Sequence, residues 1–266
     1  MASLNGTGVI VDSITRNGRF EPFELQVSRG IITYHTPANV FGYGTTPATA
    51  GLFRTVWENM GTTDYSFPGS ALTMQLVSTV GTDTASITVN GLDANYNIIS
   101  ETLVLNGTTN VPTVNQYFRI NNINVSTGSA SNPSGVITLS NGGTIYAQIN
   151  TITVNGVLGS IGASQMALYT VPAGYTLYMS RFAAYSSFNG NSVNYTTYRA
   201  VTNTSAGVQR CILQSPFNTE YNVLRIYPFP YLEKTDIRWQ IAPSVGTAAT
   251  VGVNIGGVLV KNDGAL

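Results

Sequence analysis

A chain of 266 residues with 12 basic and 12 acidic side chains, and therefore no net charge, has no basic field with which to hold nucleic acid, and no apolar run approaches the roughly 20 residues of a membrane-spanning helix. Charged residues make up 9% and apolar residues 43%, whereas charge in ordinary soluble domains is about 25%. Aromatic and β-branched residues are spread evenly, which excludes disorder and leaves an assembled β protein whose surface is largely covered by partners.

Residues 1–65 read as an extended, irregular N-terminal arm, with short apolar pieces broken by glycine and proline. Its opening residues show no basic stretch ahead of an apolar core, so no secretion signal is expected. Phe20, Phe23, Phe41, Tyr43, Phe53 and Trp57 are anchors with few visible strands to pack within, and with Arg29 and His35 they form the candidate subunit-interaction set. Such an arm is expected to lie over its own domains or over a neighbouring subunit. Residues 66–150 form a first β-sandwich: Leu72, Met74 and Leu76, then Ile87 and Val89, then Leu103 and Leu105 alternate with Thr, Asn and Ser. Residues 151–266 hold enough strand-like runs, among them ALYTVPAGYTLYMSRFAAYSS and NVLRIYPFPYLEKTDIRWQIA, for a jelly-roll-like β domain. No window carries a convincing 3.6-residue period.

Residues with chemistry to offer are few. Asp93, Asn95 and Asn97 resemble the start of a calcium loop, but Ile98 stands where such a loop needs glycine, and no glutamate occupies its twelfth position. A turn is the better reading. His35 is the only histidine, so it builds neither a catalytic triad nor a metal site by itself. Gly42-Tyr43-Gly44 lacks the remainder of a dinucleotide fingerprint. Glu233 and Asp236 could be paired acids, but a turn capped by Asp236 between strands fits better. Cys211, the only cysteine, is expected as a buried small hydrophobe. Tyr185, Tyr195, Tyr198 and Tyr227 lie near turn-rich segments, where aromatics could stack on sugars or bury in a protein interface. No enzyme activity, cofactor or metal is expected.

Several blocks follow one another in an order shared with a known group. PFELQVSRGIITYHTPANVFGYG, WENMGTTDYSFPGSALTMQLVST, GLDANYNIISETLVLNGTTNVPTVNQYFRINNINVSTG, ALYTVPAGYTLYMSRFAAY and EKTDIRW together resemble virion structural proteins of tailed double-stranded DNA bacteriophages of aquatic type, over about Phe20 to Val260. The stretch Thr79 to Ile87 is shorter than usual for that group. The resemblance implies a particle component in the virion, made in the host bacterial cytoplasm, with other virion proteins as partners and no catalytic or binding residues to carry over. Combined with the aromatic arm, the expectation is a head decoration or cement protein on the major capsid protein, as a homotrimer, binding neither nucleic acid nor membrane. A tail, baseplate or fibre-attachment component is the alternative placement, and a host glycan or receptor-binding module the alternative class.

Overall fold

The computed structural model describes residues 14–16, 19–154, 157–188, 194–203 and 209–262. Among these the regular structure is nearly all antiparallel strand, the all-β class expected from the turn-punctuated alternation. A hairpin of β1 (Ile14–Arg16) and β2 (Arg19–Glu21) leads into the short helix α1 (Phe23–Ser28), then β3 (His35–Thr45) and β4 (Arg54–Thr55). Next come β5 (Leu72–Ser78), β6 (Ser86–Leu92), β7 (Ile98–Val104), β8 (Val111–Tyr117), β9 (Arg119–Val125), β10 (Ile137–Asn141) and β11 (Thr144–Ile149). A hairpin of β12 (Thr151–Val154) and β13 (Val157–Ser160) precedes β14 (Leu168–Thr170), β15 (Tyr175–Ser186) and β16 (Thr196–Asn203). β17 (Gln209–Phe217), β18 (Glu220–Tyr231), β19 (Asp236–Pro243) and β20 (Thr250–Lys261) complete the order.

Strands β5 to β11 make a sandwich of two sheets, ordered β11-β10-β5-β8 and β7-β6-β9. Inward positions carry Met74, Leu76 and Leu139 on one sheet and Ile87, Val89 and Ile123 on the other, all fully buried. Most outward positions are threonine, serine, asparagine or glutamine, with Ile98, Val104 and Val114 exposed among them, so the strands show the two-residue period of a sheet with one covered face.

The remaining long strands pair as β3-β20-β15-β18 and β14-β19-β16-β17, with β4 added beside β19. Counted in chain order from β3 and then β14 to β20, the two sheets read 1-8-3-6 and 2-7-4-5, with every pairing antiparallel. That is the two-sheet, two-Greek-key arrangement of a jelly roll. Its first strand is β3, so the whole β5–β11 sandwich is inserted between the first and second strands of the roll.

The expectation of an irregular arm over residues 1–65 therefore fails from residue 35 onward. β3 pairs with β20 along its length, from His35 opposite Val260 to Thr45 opposite Thr250. The strand was hard to see because its inward positions are Ala38, Val40, Gly42 and Gly44 while its large residues, Phe41 and Tyr43, point outward. The inward glycines are steric necessities. A Cβ on Gly42 would stand 2.5 Å from the Ala167 Cβ, and one on Gly44 would run into the Trp57 carbonyl oxygen and the Met60 side chain. The segment Val56–Met60 crosses directly against β3: Val56 N–H donates to the Trp239 carbonyl, and Ala167 N–H donates to that of Val56. Val56, Trp57 and Met60 are fully buried in the same continuous core as Trp239 and Met74. Truncating a tryptophan in such a site costs about 3–5 kcal/mol.

The two units are joined by Arg119, at the start of β9, and Asp236, at the start of β19. Arg119 Nε and Nη2 reach the two carboxylate oxygens of Asp236 at 2.7 and 2.9 Å, and Thr170 Oγ1 donates to the same carboxylate at 2.6 Å. Nη1 donates to the carbonyls of Pro68 and Phe118, and the guanidinium lies 3.9 Å from the Phe118 ring centroid. Every nitrogen of the guanidinium and both carboxylate oxygens have a partner, which is what a buried ion pair requires.

Candidate interaction surface

The outer face of the sheet β3-β20-β15-β18 is built in transverse rows by the register. Tyr43, Gly252, Tyr185 and Glu220 form one row, and Phe41, Asn254, Ala183 and Asn222 the next. Further along, Pro37, Val258 and Tyr178 sit side by side, then His35 and Val260. Both ladders on β15 shift register at Ser180, and β18 accommodates the shift by looping out Arg225–Pro228 between Leu224, opposite Arg181, and Phe229, opposite Met179. A bulge of this kind re-aims side chains. Here it turns an apolar run outward, leaving Leu224, Ile226 and Tyr227 exposed at 75, 89 and 86%.

Beside the bulge, α1 leans on the His35 end of β3 and closes one wall of a groove of about 590 Å³. Phe23, Tyr178, Leu224, Ile226, Val258 and Val260 supply its apolar lining, with Glu24 and Arg225 as its charged residues. Phe23 meets His35 edge-on at 6.0 Å between ring centroids, and His35 Nδ1 lies 2.8 Å from the Thr33 carbonyl oxygen. Contiguous exposed apolar surface with so little charge is the mark of a covered face.

The candidate interaction residues divide between this face and elsewhere. Phe23 and His35 line the groove, and Phe41 and Tyr43, exposed at 55 and 51%, stand on the same face. Arg29 instead pairs with Glu21. Phe53 lies under the Arg199 guanidinium, 3.8 Å from ring centroid to Cζ, and so belongs with the opposite sheet. Trp57 is buried inside its own chain against Tyr65, out of reach of any partner. The Phe20 side chain lies outside the described residues. Leu224 and Ile226 were missed, although LRIYPFP is apolar at both strand parities, the signal of a run that cannot hide on one face. Of the tyrosines singled out, Tyr185, Tyr195 and Tyr227 are exposed, but Tyr198 is buried.

Other candidates resolve into structure. Asp93 Oδ1 accepts from the N–H groups of Asn95 and Asn97, and Oδ2 from the Asn97 side chain, closing the β6–β7 turn. Burial pushes the Asp93 carboxyl up, but those hydrogen bonds win and hold it below the usual range. Asp236 does not cap the turn before β19, because Arg119 and Thr170 occupy it; Glu233 caps the neighbouring turn by accepting from Gly174 N–H at 2.6 Å. Cys211 is exposed rather than buried, since β17 is an edge strand whose register slips beside it, between Ala200 and Val201 of β16. Among the described residues no three His, Cys, Asp or Glu side chains gather as a metal site, and no helix is long and apolar enough to cross a membrane.

No family model and no curated protein matches the chain. Among solved structures it is similar to the particle of infectious bursal disease virus. The Gt strain matches at 12% identity over 88% of this chain and 75% of that one, with a TM-score of 0.21. The Gx strain matches at 11% identity over 87% and 74%, with a TM-score of 0.24. T=1 particles derived from the virus match at 12% identity over 88% and 72%, with a TM-score of 0.21. Scores of this size do not establish a common architecture.

Proposed function

We propose that the protein is a non-enzymatic structural subunit of a bacteriophage particle, and that the groove end of the outer face of the sheet β3-β20-β15-β18, around His35, Tyr178 and Leu224, is where it meets neighbouring subunits. The observation that carries the reading is the bulge at Arg225–Pro228, with Leu224 at its foot, beside the groove: an exposed aliphatic and aromatic surface on an otherwise neutral jelly roll. Such a face gains by burial roughly in proportion to its area, at about 25 cal/mol per Å². The sequence resemblance to phage virion proteins supports the same reading, and decoration of the head as a homotrimer on the major capsid protein is its most specific form. A tail or baseplate position fits the same face.

Light scattering over a concentration series, with co-sedimentation on expanded heads and on tails, tests this. The wild-type chain is expected to form a trimer and to co-sediment with one of the two. The double variant Leu224→Ser with Ile226→Ser should do neither while keeping its melting temperature. A wild-type monomer that binds no particle component overturns the proposal. A clasp by the N-terminal residues is testable only with a truncation ending before Glu21, because removal through residue 60 would take away β3 and Trp57.

A further inference from the structure

A second cleft, of about 240 Å³, lies where the inserted sandwich meets the jelly roll. Its polar lining is Asn39 of β3, Asn121 and Asn122 of β9, and Ser164 and Tyr169 from the approach to and body of β14; Phe41 and aliphatic side chains such as Val40 and Met166 supply the rest, with no charged side chain. Its chemistry differs from that of the apolar groove. Asn121 Oδ1 accepts from Thr170 N–H at 3.3 Å and Asn122 Oδ1 accepts from the Asn90 amide at 2.8 Å. Each bond fixes its amide with the NH2 group still able to donate. β3 adds main-chain groups. Tyr43 N–H donates to the Gln165 carbonyl, away from β20. By the alternation of an antiparallel ladder, Phe41 and Asn39 turn their own N–H and C=O to that same side. Phe41 adds an aromatic ring more than half exposed.

Uncharged donors and acceptors set around one open ring match a ligand that is rich in hydroxyls, has an apolar ring face and carries no charge. We infer that this cleft binds a neutral saccharide, with Phe41 stacking on a sugar ring and Asn39, Asn121 and Asn122 bonding its hydroxyls. Its volume is below the roughly 300–1,000 Å³ of sites for drug-sized ligands, which suits one or two sugar units. The amide ladder beyond Asn122, where Asn90 also bonds Asn124 and Ser100, offers a longer oligosaccharide an uncharged wall. An added peptide strand is less suited, because Pro37 has no N–H and Gln165 covers the edge at Tyr43, leaving only Asn39 and Phe41 to pair.

Saturation-transfer NMR on the full chain tests this with neutral gluco-, galacto-, manno- and N-acetylglucosamine oligosaccharides, with sialylated and sulfated sugars and extended peptides as comparisons. At least one neutral sugar should bind, and Phe41→Ala and Asn122→Ala should each weaken it by about fivefold or more. Leu224→Ser with Ile226→Ser should bind the sugar unchanged, which separates this site from the subunit face. Absence of transfer from every neutral sugar at millimolar concentration, a preference for charged sugars or peptides, or indifference to both cleft variants overturns the inference.

Discussion

Glu58 lies on the segment that crosses behind β3, and its carboxyl is poorly provided for. Oε1 accepts from the Gln165 N–H, whereas Oε2 is sealed from solvent without a partner. Burial pushes its pKa up from 4.5 to about 8, against the pull of the Gln165 N–H. The folded state therefore holds a proton between pH 4.5 and 8 that the unfolded chain has released. This group's contribution to stability is complete below about 4.5 and is lost as pH rises through about 8. Glu58→Gln keeps the shape and removes the titration. Melting temperatures measured from pH 5 to 9 should fall with rising pH in the wild type and fall less steeply in the variant. Equal slopes would mean that the carboxyl is solvated in both states. Nothing in the string WENMG announces a buried acid, because the neighbours that seal it, such as Gln165, arrive from more than a hundred residues away.

At the scale of the strand, β3 and β20 face each other with glycines doing opposite work. Gly44 points inward against the Trp57 carbonyl and the Met60 side chain, while Gly252, opposite Tyr43, would place a Cβ at ordinary contact distances of 3.6 and 3.9 Å. Gly44→Ala should destabilise by about 1–3 kcal/mol through overpacking. Gly252→Ala should be neutral or stabilise by up to about 1 kcal/mol, because it restricts the unfolded chain. Denaturant titration of both variants reads the difference, and equal effects would contradict the close approach at Gly44. The same strand shows where legibility ended. β5, β6 and β15 were readable because their buried positions are large and apolar. β3 was not, since small residues face the core and the aromatics face out. Phe23, His35, Phe41 and Tyr43 drew notice as aromatic or singular residues in a glycine-broken stretch and do share one face. Trp57 drew notice for the same reason and is core, because composition does not tell inward from outward where the alternation is hidden. The cleft was invisible for another reason: its asparagines come from β3 and β9, which only the insertion brings together.

For the molecule as a whole, inserting one sandwich into another leaves the joint to be held by contacts distant in sequence. The Arg119–Asp236 pair spans 117 residues and ties the edge strand β9 of the insert to the sheet of the roll. Bidentate geometry, the Thr170 hydroxyl and the Phe118 ring together replace the water that both charges lose. Removing one partner strands the other. Arg119→Ala should therefore cost about 3–5 kcal/mol, by leaving the Asp236 carboxylate buried and uncompensated. Replacing both, as Arg119→Leu with Asp236→Leu, removes the stranded charge and should recover part of that loss, although Thr170 loses its acceptor. The two units share one continuous core, so the wild type should unfold in a single transition, whereas Arg119→Ala should broaden it or split it in two. Calorimetry of the three proteins decides the matter. If Arg119→Ala unfolds in one sharp transition near the wild-type temperature, the packing between the units holds the joint and the ion pair only sets their relative orientation.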